Sequence, residues 1–161
     1  MYGSANLTAM NDLVQDLVHD HGDINRRVFA LGSAIRALDR DDGNGMALAL
    51  VARLGELREL LFLHFAREEE GLFPFVAEVV PELADRVHAM ALAHDAICGG
   101  LARMYHLASA NAELGLITAV FARFEAAYGD HAQGEAELLE TLSARLDPDQ
   151  RARLWELVRG L

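Results

Sequence analysis

Apolar residues recur along this chain at alternating spacings of three and four, in four long runs separated by short breaks. That period belongs to an amphipathic α-helix and not to a strand, whose apolar face repeats every second residue. The first run is Met10, Val14, Leu17, Ile24, Val28, Leu31, Ile35 and Leu38, and it stops at the turn-forming residues Asp39-Arg40-Asp41-Asp42-Gly43-Asn44-Gly45. The second is Ala47, Leu50, Leu54, Leu57, Leu61, Leu72 and Phe75, with Pro74 expected to bend or loosen its last turn. The third opens at Pro81 and carries Leu83, Val87, Met90, Ile97, Leu101, Met104 and Ala108. The fourth follows Asn111, read as its N-cap, and carries Leu114, Ile117, Phe121, Phe124, Leu138 and Leu142. Helices of roughly 25 to 35 residues joined by short connections place successive helices antiparallel and adjacent. The predicted fold class is therefore all-α, an up-down-up-down four-helix bundle over residues 1–146. A short fifth helix over residues 147–161 is capped by Asp147, with Pro148 at its first position and Gln150 at its third. It carries Leu154, Trp155, Val158 and Leu161, and is expected to pack on the bundle or on a partner, a second copy of the chain included.

Composition removes several classes. The chain has 161 residues, 52% of them hydrophobic, enough for one sizeable core and too apolar for disorder. No apolar stretch approaches the length of a membrane span, and no charged-then-apolar leader follows Met1, so the expectation is a cytoplasmic protein with no membrane partner. The single cysteine, Cys98, cannot form an internal disulfide or a zinc-thiolate cluster. A formal charge of −11 without a basic patch disfavours nucleic acid.

The interruptions of the stripes carry the chemistry. His21, His64, Glu68, His94, Tyr128, His131 and Glu135 stand where the period demands an apolar core residue. A buried imidazole or carboxylate without a partner costs several kcal/mol, so these positions need a mutual hydrogen-bond network or a metal. The two His-x-x-x-Glu spacings decide little alone: with 25 acidic residues and seven histidines, about one such pair arises by accident. Depth is more telling. Reflecting each helix through its turn, at about 1.5 Å per residue, puts the midpoint of His21 and His64 between Asp42 and Gly43, inside the first turn. The midpoint of the His64/Glu68 pair and His94 falls at Val80, beside Pro81, and that of His94 and the His131/Glu135 pair falls within a few residues of Asn111. Four histidines and two glutamates thus meet in one layer, which suits a two-metal site. His19, His88 and His106 fall off the stripes and are read as surface residues.

With Asp20-His21, His64-Phe-Ala-Arg-Glu68 followed by Glu69 and Leu72-Phe73-Pro74, then His94, then His131-Ala-Gln-Gly-Glu135, residues 10–145 resemble the hemerythrin-like, or HHE cation-binding, family. The resemblance implies two iron ions, Fe2+ or Fe3+, with a bridging oxo or hydroxo group. His21, His64, His94 and His131 would be the nitrogen ligands, and Glu68 and Glu135 the bridging carboxylates. It also implies reaction with a small-molecule oxidant, O2, hydrogen peroxide or nitric oxide, in oxidative or nitrosative stress defence or sensing. Turnover of peroxide or nitric oxide by a catalase-like oxidoreductase and binding without turnover, as an iron store, an iron donor or a reversible O2 carrier, both stay open. The oxygen-carrying members use five histidines, with two at i and i+4 on the third helix, whereas here the residue four after His94 is Cys98. The protein ligands and bridging oxygen then fill about ten of about twelve positions on two six-coordinate irons, a more open pair that suits reaction better than reversible transport.

Several flanking residues have two readings. Tyr128, one turn before His131, is either a proton source or ligand at the site or a core aromatic with a satisfied hydroxyl. Cys98 is read as an inert buried thiol in preference to a ligand or redox relay. Gly22, Gly71, Gly99, Gly100, Gly129 and Gly134 either open a path to the irons or allow close helix packing. Glu69 and Glu70 are read as a solvated acidic face in preference to alternative ligands.

Overall fold

Each apolar run folds as one helical rod. The computed structural model describes the backbone of residues 3–38 and 45–159, and within it the side chains of residues 21–38 and 48–158. Helix α1 spans Gly3–Leu38, α2 Gly45–Arg67, α3 Phe73–Val79, α4 Ala84–Ser109, α5 Leu114–Arg145 and α6 Pro148–Arg159. The readings of Met10, Val14, Leu17, His19, Asp20, Ala47, Leu161 and the 39–44 turn lie outside the described residues. Helix α1 packs against α2 and α5, and α4 packs against the same two, so the four rods close a ring. Short connections between successive rods make this an all-α four-helix bundle, with α6 laid across α1 and the segment just after α2. Among the described residues no helix is long and apolar enough to cross a membrane.

Pro74 has no N–H and its ring crowds the carbonyl four residues back, so an α-helix cannot run through it undisturbed. The rod relaxes one turn upstream. Glu68–Leu72 form a π turn, closed by the Phe73 N–H donating to the Glu68 carbonyl five residues back. The helix then resumes as α3 and reaches Val79, beyond the end expected near Phe75. Asn111 also differs from the sequence reading. It does not cap α5, which starts at Leu114 after Glu113; it sits at φ 52° as the left-handed stop of α4. The Ala112 N–H donates to the Leu107 carbonyl at 2.9 Å and the Asn111 N–H to Ala108 at 3.2 Å, a paired closure that asparagine tolerates better than other side chains. At α6 the local reading holds: the Gln150 N–H donates to Asp147 Oδ1 at 2.9 Å and the Asp147 N–H donates to Gln150 Oε1 at 3.0 Å. Arg151 then donates to the carbonyls of Leu146 and Ser143, satisfying the open end of α5.

The buried side chains divide into two apolar clusters. One, from Ile24, Leu54, Leu61, Ile97, Leu101 and Phe124 among others, fills the end of the bundle nearer the α1–α2 turn. The other, from Leu72, Phe75, Val76, Val87, Leu138 and Leu142, fills the opposite end and takes in Leu154 and Val158 of α6. A polar layer lies between them. Close approach within the first cluster depends on Gly32, where an added Cβ would lie 2.8 Å from the ring of Phe121. Phe121 is itself buried, so its ring has nowhere to retreat. Gly99 is the opposite case, with nothing within 4 Å of an added Cβ. Gly32→Ala is therefore expected to lower stability by about 1 kcal/mol, overpacking outweighing the gain in helix propensity. Gly99→Ala should raise it by about 0.5–1 kcal/mol. Chemical denaturation of both variants checks this, and equal shifts of the same sign would contradict the packing argument.

Candidate metal centre

The polar layer draws on all four rods. α1 contributes His21, α2 His64, the π turn its first residue Glu68, α4 His94, and α5 both His131 and Glu135, one turn apart on the same face. Glu68 and Glu135 are 0% exposed and His64 and His94 2%, while His21 keeps 12% of its side chain accessible at the layer's edge. All six residues that interrupt the apolar stripes with metal-binding side chains are thus brought together. They form two overlapping groups, His21, His64, Glu68 and Glu135 in one and Glu68, His94 and His131 in the other, with Glu68 common to both. Within each group the ligand atoms lie within 4.8 Å of one another. Two atoms bound to one transition-metal ion at about 2.1 Å stand roughly 3–4 Å apart, so each group has the span of a single ion.

The hydrogen-bond pattern tests whether an ion fits. His21 Nε2 lies 2.5 Å from Glu135 Oε2 and 3.1 Å from His64 Nε2, and His64 Nε2 lies 3.5 Å from the same Glu135 oxygen. Burial raises the Glu135 carboxyl pKa, but the His21 and His64 imidazoles beside it outweigh that and hold the group well below the usual carboxylate range. By hydrogen-bond geometry neither carboxylate is satisfied: the buried oxygens of Glu68 and of Glu135 all lack a hydrogen bond of acceptable geometry. So do His94 Nε2, 3.0 Å from Glu68 Oε2, and His131 Nε2, 3.6 Å from it. Buried acceptors left unpaired are costly, and here several converge on one point. A network of side chains alone would have used them; a cation would satisfy them together. Imidazole and carboxylate in this mixture suit a first-row transition ion.

His94 is held at its outer ring nitrogen and by aromatic packing. Its Nδ1 lies 2.6 Å from Glu69 Oε1, and Phe65 stacks on its ring with centroids 3.7 Å apart and planes 8° apart. Phe73 lies against it at 5.5 Å. Glu69 is 46% exposed at its side chain, so the acidic-face reading is half right: Glu70 faces solvent, but Glu69 turns back onto a buried histidine. Sequence periodicity missed this because it assumed an unbroken α-helix through Glu68.

Tyr128 is 4% exposed, and its hydroxyl donates to Asn25 Oδ1 at 2.9 Å. Burial, reinforced by the charges of Glu135 and Glu68, pushes the phenol well above its ordinary pKa. Asn25 was not singled out in the sequence, although it stands one turn beyond His21. Cys98 is half-buried with its thiol pushed up to about 11 by burial and by the nearby Glu69 and Asp95 carboxylates, so it stays protonated at neutral pH. His88 and His106 are exposed, as the periodicity predicts. Of the flagged glycines, Gly100 lies against Phe124 at 3.4 Å from an added Cβ, whereas Gly99, Gly129 and Gly134 meet nothing within 4 Å.

Neither the curated proteins nor the solved structures contain a match to this chain. The family model for the hemerythrin HHE cation binding domain, in contrast, matches residues 12–143, a span that includes all six converging side chains. With a closed ring of four helices, a buried His/Glu layer built for a cation and that match over most of its length, this chain belongs to the hemerythrin HHE cation-binding domain family.

Proposed function

We propose that this protein holds two iron ions in the polar layer and exposes them to a small oxidant, O2, hydrogen peroxide or nitric oxide, which it removes or senses. The observation that carries the reading is the sharing of Glu68 by two ligand groups, a carboxylate poised to bridge neighbouring ions. Iron bound there would supply Fe(II)/Fe(III) electron transfer and open coordination positions. The chain's own residues do the rest. Four imidazoles and two carboxylates from four helices hold the centre in place, and the apolar clusters on either side keep bulk water out. Tyr128, protonated and hydrogen-bonded to Asn25, keeps a proton on the flank of the layer. A cavity of about 30 Å³ touches His64 and is lined by Asp23, Ile24, Leu60, Leu63 and Arg67. A cavity that small beside a candidate ligand suits a diatomic or a peroxide.

Metal analysis and an optical spectrum of the protein as isolated, before and after anaerobic reduction and peroxide addition, test the proposal. About two irons per chain, near-ultraviolet bands that respond to peroxide, and consumption of peroxide or nitric oxide that His64→Ala abolishes are the expected results. Protein without iron would end the reading. Iron-replete protein with no turnover would favour the second reading, a store, donor or reversible O2 binder. One feature supports a binding protein that reports occupancy. Helix α6 rests on α1 and on the π turn, the elements that carry His21 and Glu68, which connects the C-terminal helix to the segments that bear these two side chains.

A further inference from the structure

The π turn does more than accommodate Pro74. An α-helix separates successive side chains by about 100°, so two neighbouring glutamates cannot both face one partner. A π turn fits an extra residue into the turn and narrows that angle. Glu68 and Glu69 use it to reach the same imidazole from opposite sides: Glu68 Oε2 lies 3.0 Å from His94 Nε2 and Glu69 Oε1 lies 2.6 Å from His94 Nδ1.

The two contacts are not equivalent. A carboxylate has only acceptors to offer, so the short bond to Glu69 places the proton on Nδ1, which donates. Nε2 then carries its lone pair toward Glu68 and His131 and finds no donor there. The flanking rings cannot make this choice. Phe65 and Phe73 set the plane of the imidazole, but stacking is indifferent to which nitrogen points inward and to which nitrogen holds the proton. His131, by comparison, has no hydrogen-bond partner at its Nδ1, so nothing outside the layer selects its tautomer.

We propose that Glu69 is the positioning residue of this centre: its half-exposed carboxylate fixes the tautomer and inward orientation of His94 and thereby sets the affinity of the His94/His131 half for a divalent transition ion. The inference rests on the metal-centre reading above. It assigns a function to a residue that belongs to neither ligand group. Hydrogen bonding of a ligating histidine's outer N–H to a carboxylate raises ligand basicity and removes the need to reorient the ring on binding.

The test uses metal-free full-length protein, equilibrated anaerobically with ferrous iron alone, as wild type, Glu69→Ala and Glu69→Gln. In wild type two ions bind. In Glu69→Ala one of the two is expected to bind about 10–100-fold more weakly while the other is unchanged. Glu69→Gln retains an uncharged acceptor and should fall between them. Nitrogen NMR of the histidine rings in the metal-free proteins gives a readout that packing alone would not move: the His94 proton sits on Nδ1 in wild type and leaves that position in Glu69→Ala. Two ions held as tightly by Glu69→Ala as by wild type, or a wild-type His94 protonated on Nε2, would overturn the positioning role alone. Wild type that binds no ion overturns the metal-centre reading and this one with it.

Discussion

Anaerobic addition of ferrous iron to the metal-free protein is expected to raise its thermal unfolding midpoint by about 10–20 °C. An ion that binds only the folded state stabilises it by about 2.7 kcal/mol at a free concentration of 100 Kd, so two ions contribute roughly 5 kcal/mol. For a chain of this length each kcal/mol moves the midpoint by about 2–4 °C. The structural reason is the layer itself. Glu68, wholly buried, has no well-formed hydrogen bond at either oxygen, and the inward nitrogens of His94 and His131 face it without a donor between them. A cation inserted there replaces acceptor-against-acceptor contacts with bonds to every one of those atoms. Differential scanning calorimetry with and without iron measures the shift. Magnesium is the control, because it prefers oxygen ligands and is held poorly by imidazole. A midpoint that iron leaves unmoved, or that magnesium raises as much, would remove the transition-metal reading.

Replacing Glu68 by leucine should act in opposite directions on the two forms. Without metal, Glu68→Leu exchanges a buried and poorly satisfied carboxylate for an apolar group of similar volume. Substitutions of that kind are often stabilising by about 1–4 kcal/mol. The new side chain would join Leu61 and Leu72, its neighbours along the same rod, and so connect the two apolar clusters that the polar layer now separates. With iron, the same variant loses the carboxylate common to both ligand groups and should forfeit nearly all of the thermal gain. His131→Ala touches one group only and should keep part of it. The comparison of four midpoints, two proteins each with and without iron, decides the matter. A metal-free Glu68→Leu protein less stable than wild type would mean that the carboxylate is satisfied in the metal-free protein after all.

The six converging residues were legible because two simple regularities converge on them. Polar side chains at His21, His64, Glu68, His94, His131 and Glu135 break an otherwise apolar period, and helix rise alone puts them at one depth. The same regularities placed Leu54, Leu61, Ile97, Leu101 and Phe124 in the core and His88 and His106 on the surface. Residues that act across helices were not legible in this way. Asn25 meets Tyr128 over 103 positions of sequence, and Gly32 admits the ring of Phe121 from another rod. Neither pairing leaves a periodic trace, because it depends on how far each rod is rotated about its own axis.

By itself, then, the sequence determined the helices, the face that each one buries and the layer in which the ligands lie, since all three come from a local period and a fixed rise. The tertiary structure decided the π turn and everything that hangs on it. One residue added to a turn leaves composition and stripe almost unchanged, yet it rotates the neighbouring side chains about the helix axis and brings Glu69 onto His94. Pro74 signalled a disturbance, but where it would be relieved depended on packing, because the carbonyls and N–H groups freed by a wider turn are tolerated where neighbouring helices and α6 hold the segment in place.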